Sequence, residues 1–360
     1  MILKSQRTGA AALAAFGLVA LAACGDDGGG DTGASGDGGD SGGGDKRACV
    51  LLPDADSSSR WENGDRPALK KSFEEEGFTT DIQNALNDTQ KYSTIADQML
   101  TKGCSVMLLV DLQGAGVQVA QKAKAQGIPV IAYDRPIQGA DYYISFDNFH
   151  VGELEGQMIV DGLDAAGVDP AEASVVYVGG DPTDGNAKQF HDGADSVMSK
   201  AGIKPAFETP GSWDQTKVAP AFEQAYTALQ GKVDAVWAAN DTNASVVIQV
   251  LDKNGKKVPV SGQDATPVGL QNVLLGKQAG TVYKPFQLEA QSAVDLVVQL
   301  ANGETPEVTE KAPDGTPFIP QEPIVVTAEN MQQVFDDGNA KVTDVCKGPA
   351  AAACKKAGLS

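Results

Sequence analysis

Positive charge, histidine and enzyme motifs are scarce in this chain. The 360 residues include 28 Lys and Arg against 48 Asp and Glu, which gives a formal net charge of −20. So acidic a protein does not suit nucleic acid as a partner. There are only two histidines, and no cysteine or histidine spacing fits a zinc site. Gly-x-Ser-x-Gly, phosphate-loop and His-Glu-x-x-His patterns are absent, so the sequence predicts neither an enzyme nor a bound cofactor.

Long apolar runs are also scarce, and the one candidate lies near the N-terminus. Two basic residues precede an apolar stretch over residues 10–22, and Leu21-Ala22-Ala23 leads into Cys24. This order is typical of a bacterial lipoprotein signal. The stretch is shorter than the roughly 20 residues that cross a bilayer, and a buried helix would need a polar face and a cap. We predict a signal peptide over residues 1–23 and a lipid on Cys24.

Large apolar residues are missing from the segment that follows. Residues 25–44 contain 11 of the 41 glycines, interrupted only by Asp, Ser, Thr and Ala. Such a segment cannot form a core. As a flexible chain of about 20 residues it would span roughly 25 Å. We therefore expect residues 24–46 to be a lipidated tether that holds a folded body at the extracytoplasmic face of the cell membrane.

Cysteine is rare, with five in the chain. If Cys24 carries the lipid, an even four remain, which suits disulfides in an oxidising compartment. Cys346 and Cys354 would close a short loop. Cys49 and Cys104 each begin an apolar run, and neighbouring parallel strands would bring them within bonding reach. We predict bridges 49–104 and 346–354, with four free or buried thiols as the alternative.

About 300 residues, from 46 to 345, remain for folding, which is more than one core usually serves. Short apolar runs alternate with amphipathic stretches, a pattern that predicts an α/β fold of two lobes, each a parallel sheet covered on both faces. Strands are expected at 49–53, 80–84, 105–111, 129–133, 143–146, 174–178, 206–209, 235–239, 258–262 and 280–283. Helices are expected at 92–102, 114–126, 151–163, 188–201, 218–230 and 243–254.

Polar residues follow the apolar runs, at the strand ends where parallel α/β sheets bind ligands. Carboxylates, amides and guanidinium groups can each engage two sugar hydroxyls, and aromatic rings pack on the apolar face of a pyranose. Trp61 and Trp213 fall in polar loops, whereas Trp237 lies inside an expected strand and is assigned to the core. The sequence thus favours a sugar site, and the residues after the runs are Asp54, Arg60, Trp61, Asp134, Arg135, Asp184, Asn186, Asn240, Asp241, Asp264 and Lys284.

Several sequence motifs resemble those of the D-xylose-binding protein family of bacterial ABC transporters and occur in the same order along the chain. They are Tyr133-Asp134-Arg135, Tyr143-Ile144-Ser145-Phe146-Asp147-Asn148 with Val151-Gly152-Glu153-Leu154, Asn186-Ala187-Lys188, Asn240-Asp241, Ser261-Gly262-Gln263-Asp264-Ala265 and Thr281-Val282-Tyr283-Lys284-Pro285. The likeness spans about residues 48–345. Because these motifs occur in the same order and with similar spacing as in the family, their combination is specific to it.

The resemblance implies a type I periplasmic-binding-protein fold, in which two doubly wound lobes are joined by a three-segment hinge and close on one monosaccharide. Residues 47–148 with 285–315 would form the N-terminal lobe and residues 149–284 with 316–345 the C-terminal lobe, followed by a disulfide tail over 346–360. Chain crossings are expected near Phe149-His150 and near Tyr283-Lys284-Pro285. The implied partners of the monomer are D-xylose and a permease with its ATPase subunit.

The resemblance also implies a ligand set. Trp61 and Trp213 would stack on the sugar from opposite sides, and Asp134 with Arg135 would bind ring hydroxyls. The tether and the C-terminal cysteine pair depart from the family pattern, and the surroundings of Trp213 match it least well. The full predicted set is Arg60, Trp61, Asp134, Arg135, Asp184, Asn186, Trp213, Asn240, Asp264 and Lys284.

Alternatives to a xylose importer component remain open at this point. Receptors for glucose, galactose or arabinose use similar groups, and a sensory co-receptor would have the same cleft. A glycosidase would need two working carboxylates among Asp134, Asp184 and Asp264. That reading is disfavoured, because Arg135 and Lys284 would hold nearby acids ionised, which does not suit a general acid.

Overall fold

The computed structural model describes residues 46–55, 57–58 and 60–359. The predicted signal peptide, Cys24 and all but the last residue of the tether lie outside these ranges. The described residues belong to one compact unit. Among the described residues no helix is both long and apolar enough to cross a bilayer.

The first lobe is built on a seven-stranded sheet. Its strands are parallel except for β10 (Glu310–Lys311), which runs antiparallel to β11 (Pro317–Gln321) at the edge. Alternate side chains of β1 (Arg47–Leu52) enter the apolar clusters on opposite faces, so this inner strand is buried on both sides, as expected in a parallel sheet. In spatial order the strands are β10 (Glu310–Lys311), β11 (Pro317–Gln321), β5 (Tyr142–Phe146), β4 (Val130–Tyr133), β3 (Val106–Leu109), β1 (Arg47–Leu52) and β2 (Thr79–Asn84).

The second lobe contains a smaller parallel sheet of β7 (Pro205–Glu208), β6 (Val175–Val178) and β8 (Ala235–Ala238). A single bridge from Val236 to Val260 continues it, and a further bridge joins Gln263 to Val282 in β9 (Thr281–Tyr283). β12 (Ile324–Val326) closes the edge by pairing antiparallel with β9. The strand expected at 258–262 is therefore reduced to one bridge.

Helices cover the sheets of both lobes. Many begin at a side-chain cap: the carboxylate of Asp88, for example, accepts hydrogen bonds from the backbone N–H groups of Gln90 and Lys91. The helices are α1 (Arg66–Glu75), α2 (Thr89–Lys102), α3 (Ala115–Ala125), α4 (Asn148–Ala166), α5 (Gly185–Lys200), α6 (Gln215–Ala228), α7 (Asp241–Lys253), α8 (Pro267–Leu274), α9 (Phe286–Ala301), α10 (Gln332–Asp336), α11 (Val342–Val345) and α12 (Ala351–Lys356). A π-helical turn spans Trp61–Asp65, and short 3₁₀ turns span Pro170–Glu172 and Gly348–Ala350.

Three chain segments cross between the lobes, in agreement with the expected fold class. The first lies between β5 and α4, the second at Lys284-Pro285 between β9 and α9, and the third between β11 and β12. The third crossing differs from the prediction that the second lobe resumes at residue 316. Because Phe318 to Gln321 pair with β5, the chain stays in the first sheet until Gln321.

Both predicted disulfides are present. Cys49 lies in β1 and Cys104 just before β3, and these strands are direct neighbours, which brings the two Cα atoms to 5.8 Å. Cys346 is bonded to Cys354, eight residues away. The residues around this second bridge do not form a separate tail, because Val345, Cys354 and Leu359 pack in an apolar cluster with the second lobe.

Candidate ligand site

Loops at the carboxyl ends of strands in both lobes converge on one cavity. The first lobe supplies the segment after β1 and the turn after β4, and the second supplies the loops after β6, β7 and β8 together with the end of β9. The cavity is narrow, about 30 Å³. All ten predicted ligand residues line it: Arg60, Trp61, Asp134, Arg135, Asp184, Asn186, Trp213, Asn240, Asp264 and Lys284.

Arg60 lies at the centre of a buried acidic cluster in the first lobe. Its guanidinium donates to Asp65 at 2.7 and 2.8 Å and to Asp134 at 2.7 Å, and it also pairs with Glu289 on α9. Burial would lower the pKa of Arg60, but the carboxylates of Asp65, Glu289 and Asp134 raise it well above its usual value. Arg60 is therefore charged, and one of its N–H groups is directed at a carboxylate of the site.

The ring of Trp61 is almost fully buried, with 2% of its surface exposed. The guanidinium carbons of Arg60 and Arg135 lie 4.8 and 5.5 Å from the ring centroid, within cation–π range. Its indole N–H donates to the hydroxyl of Ser57 at 3.1 Å. Trp61 is thus a rigid wall of the cavity.

Asp134 is held in the left-handed backbone region, with φ +63°. Two hydroxyl groups of the same lobe, from Tyr143 and Ser145, donate to its carbonyl oxygen at 3.1 and 2.7 Å. From the other lobe, the amide of Asn186 donates to that carbonyl at 2.9 Å and to the carboxylate at 3.2 Å. Asp134 is therefore a point where both lobes meet.

A second polar contact between the lobes joins Arg135 to Asp184, with Nε and Oδ2 3.0 Å apart. The indole N–H of Trp213 donates to the same oxygen at 3.0 Å. The other oxygen of Asp184 caps α5 by accepting from the N–H of Asn186. Burial raises the pKa of Asp184, and the nearby Arg135 opposes that shift.

Asp264 and Lys284 form a buried ion pair in the second lobe, with Oδ1 and Nζ 2.9 Å apart. The hydroxyl of Ser58, from the first lobe, donates to Asp264 at 3.2 Å. The ammonium of Lys284 lies 5.4 Å from the centroid of the Phe190 ring. The amide of Asn240 adds a fourth contact across the cleft by donating to the carbonyl of Ser57 at 3.3 Å, while its own oxygen caps α7.

A larger chamber of about 440 Å³ lies at the mouth of this cavity. The two spaces share Ser57, Arg135, Asp184 and Trp213, so the Arg135–Asp184 pair and the Trp213 ring stand between them. Polar side chains of both lobes line the chamber.

Four residues of the cavity wall were not in the predicted set: Ser57, Ser58, Phe190 and Gln263. Ser57 and Ser58 precede Arg60 in the same loop, and Phe190 follows Asn186 by four residues on α5, so both lie on one helix face. Gln263 belongs to the motif Ser261-Gly262-Gln263-Asp264-Ala265, which resembles the D-xylose-binding family. Helical spacing and loop membership could have identified these residues, although neither signal is specific.

The site can bind a compact polyhydroxylated molecule. It presents carboxylates, amides, two guanidinium groups and an ammonium around two indole rings, and both lobes contribute to it. Its carboxylates are engaged by basic side chains, which suits hydroxyl recognition better than proton donation. Among the described residues, no cluster of His, Cys, Asp or Glu could hold a metal ion.

Comparison with known proteins identifies the fold family. A profile described as a periplasmic binding protein domain matches residues 49–305. The chain belongs to this family. It is 33% identical over 300 residues to the D-xylose-binding periplasmic protein of Escherichia coli, covering 79% of this chain and 88% of that protein. It is 31% identical to the multiple sugar-binding periplasmic receptor of Rhizobium radiobacter, covering 84% and 93%.

Solved structures of the family have the same architecture. An ABC transporter solute-binding protein from Clostridium phytofermentans with bound β-D-glucose is similar, with a TM-score of 0.75 and 26% identity, over 83% of this chain and all of that one. The family and these relatives are binding proteins, and this chain is a binding protein and not an enzyme.

Proposed function

We propose that this chain is the substrate-binding protein of an ABC sugar importer, that D-xylose is its ligand, and that the closed protein delivers the sugar to the permease and its ATPase subunit. The observation that carries the proposal is the single cavity in which ten residues from both lobes meet. Relatives named for D-xylose in Escherichia coli and Haemophilus influenzae, at 33% and 34% identity, support the choice of sugar.

Ligand binding is proposed to work by closure of the two lobes. The inner cavity has room for about two water molecules, so a sugar can enter only when the contacts between the lobes separate. Sugar hydroxyls would then replace contacts such as Arg135–Asp184 and Asn186–Asp134. A sugar that binds the closed form better than the open form shifts the population toward closure.

A broader sugar receptor is the second candidate. It is supported by the 31% identity to a multiple sugar-binding receptor and by the glucose-bound structure at 26% identity.

We also propose that the protein is a monomer, attached to the extracytoplasmic face of the cell membrane through a lipid on Cys24. The apolar stretch before Cys24 and the glycine-rich segment after it support this location. Diffusion of the body would be confined to the membrane surface, where the permease lies. A role as a sensory co-receptor would use the same site.

Isothermal titration of residues 46–360 with xylose, glucose, galactose, arabinose and ribose tests the proposed ligand. We expect D-xylose to bind with micromolar or tighter affinity, which corresponds to about −8 kcal/mol. Trp61→Ala removes a wall of the cavity, and Asp264→Ala leaves the buried Lys284 ammonium unpaired, so each should weaken binding by about 30-fold or more.

The matched control is Asp252→Ala. Asp252 pairs with Lys277 on the surface of the same lobe, so its removal should leave the affinity unchanged. Equal affinity for several of the five sugars would favour the broader receptor. If none of them bound, the proposed function would be wrong.

A further inference from the structure

The last part of the chain forms a small structured body that we call the C-terminal module, residues 331–359. It contains three short helices, α10 to α12, and the Cys346–Cys354 disulfide. Helices of four to six residues are not stable alone. Their order therefore depends on the disulfide and on packing against the rest of the protein.

The module packs behind the two segments that carry the Asp264–Lys284 ion pair. Met331, Val334 and Val345 share one apolar cluster with Ala265 and Tyr283 of the second lobe. Ala265 directly follows Asp264, and Tyr283 directly precedes Lys284. The module therefore shares one apolar cluster with the immediate neighbours of both ligand residues.

The segment that carries Asp264 has a strained backbone. Asp264 and Ala265 have φ values of +91° and +47°, a region that non-glycine residues rarely adopt. Their N–H groups are fixed by Val282 and Thr281, at 2.8 and 3.1 Å. Such conformations persist only where the surroundings over-determine them, and packing of the module against Ala265 is part of those surroundings.

Asp337 in the module contacts both sides of the second chain crossing. Its carboxylate accepts a hydrogen bond from the Tyr283 hydroxyl at 3.1 Å, and its carbonyl oxygen accepts one from the Gln287 amide at 2.8 Å. Tyr283 and Gln287 flank Lys284-Pro285. Burial and then the Asp337 carboxylate raise the pKa of Tyr283, so its hydroxyl stays a donor at any ordinary pH.

We propose that the C-terminal module is a positioning element for the ligand site, which holds Asp264 and Lys284 in place from behind and acts through Asp337 and Tyr283. The module does not touch the ligand. Its disulfide keeps the short helices in the form that supports Ala265 and Tyr283. This inference rests on the proposed function only for the identity of the sugar, because the contacts themselves are independent of it.

The two disulfides provide a matched pair of variants. Cys346→Ser with Cys354→Ser loosens the module, whereas Cys49→Ser with Cys104→Ser opens a bridge in the first lobe at the start of β1, away from the strand ends that form the site. Both should lower the melting temperature. We expect the first double variant to bind D-xylose about 10-fold more weakly and the second to retain wild-type affinity in calorimetry.

Milder substitutions test the proposed residue contact without the risk of unfolding. Asp337→Ala and Tyr283→Phe each remove one partner of the same hydrogen bond, so each should weaken binding by about fivefold. The two effects should not add in the double variant. Asp337→Asn keeps an acceptor oxygen and should restore most of the affinity, which a loss of packing alone would not predict.

Hydrogen exchange of the backbone amides at 263–266 and 281–284 gives a readout that needs no sugar. We expect faster exchange there in the Cys346/Cys354 and Asp337→Ala variants and unchanged exchange in the Cys49/Cys104 variant. Wild-type affinity and wild-type exchange in the module variants would overturn the inference. If the wild-type protein bound none of the sugars, the proposed function would fail, and exchange alone would decide whether the module positions these segments.

Discussion

At the level of single residues, Asp241 is a buried carboxylate that supports the candidate site. It follows Asn240, and one of its oxygens accepts the N–H and hydroxyl of Thr266, at 2.8 and 3.1 Å. The other accepts the Gln278 amide at 2.6 Å. Through Thr266 it fixes the loop that carries Asp264. Burial raises its pKa to about 7, with the neighbouring Asp264 carboxylate adding to that shift.

This raised pKa predicts that stability falls as pH rises. The ordinary pKa is 3.8, so between about pH 4 and pH 7 the folded protein holds the Asp241 proton that the unfolded chain releases. The folded state is therefore favoured at the acid end of this window, by as much as about 4 kcal/mol. Asp241→Asn is neutral throughout and should remove this part of the pH dependence in urea unfolding.

The Asp241→Asn variant is compatible with its surroundings. The Oε1 atom of Gln278 is buried without a hydrogen-bond partner, and after the Gln278 amide rotates by half a turn this oxygen can accept from the side-chain amide of the introduced asparagine. Asp295→Asn, on an exposed position of α9, is the control and should keep the wild-type pH profile. An unchanged profile in Asp241→Asn would assign the pH dependence to other acids. The sequence indicated Asn240 as a site residue, but nothing local in it joins Asp241 to Gln278, 37 residues away.

At the level of secondary structure, the contact between α4 and α5 sets the position of the cavity residues that α5 carries. α4 follows the first chain crossing, and α5 carries Asn186 and Phe190. The two helices meet backbone to backbone at Gly152 and Gly193. A Cβ atom at Gly193 would lie 2.0 Å from the carbonyl oxygen of Phe149, and one at Gly152 would lie 2.1 Å from that of Phe190.

Gly193→Ala should therefore force the two helices apart. The clash is with backbone, which cannot rotate away as a side chain would, so we expect a loss of about 3 kcal/mol in the free energy of unfolding. Weaker sugar binding should accompany it, because α5 moves with Asn186. Ser199→Ala, on the exposed side of α5, is the control and should change stability by less than about 0.5 kcal/mol. A wild-type melting curve for Gly193→Ala would contradict the predicted close approach.

Elements with clear periodicity were predictable, and those without it were not. Each predicted helix overlaps one of α2 to α7, and nine of the ten predicted strands overlap β1 to β9. α1, α8 and α9 were not among the predicted helices. The strands β10 to β12 were not predicted: β10 has only two residues, both charged, β11 contains two prolines, and β12 has only three residues. Pairing with β5 and β9, which are distant in sequence, defines β11 and β12.

At the scale of the whole molecule, polar contacts hold the two lobes together around the site. Side chains on opposite lobes meet directly at Arg135–Asp184, Asp134–Asn186 and Ser58–Asp264. Such contacts exchange readily with water or with sugar hydroxyls, unlike the apolar clusters within each lobe. The interface is therefore suited to opening and closing while each lobe keeps its core.

The proposed tether and the proposed lipid on Cys24 predict where this two-lobed body is found. In the full-length chain, Cys24→Ala removes the only proposed acylation site, so we expect the protein to move from the membrane fraction to the medium of an expressing cell. Sugar affinity should be unchanged, since the body begins beyond the tether. The control is Cys346→Ser with Cys354→Ser, which should stay with the membrane. Retention of Cys24→Ala in the membrane fraction would point to another anchor.

The fold class, the disulfide pairs and the residues that line the inner cavity could be predicted from the amino-acid sequence, because strand and helix periodicity, cysteine placement and family motifs are each visible in short windows of the chain. How these residues are supported is a property of the tertiary structure. Arg60 meets Glu289, 229 residues away, and Asp337 meets Tyr283, 54 residues away. Contacts at such separations depend on the path of the whole chain, and no local pattern specifies them.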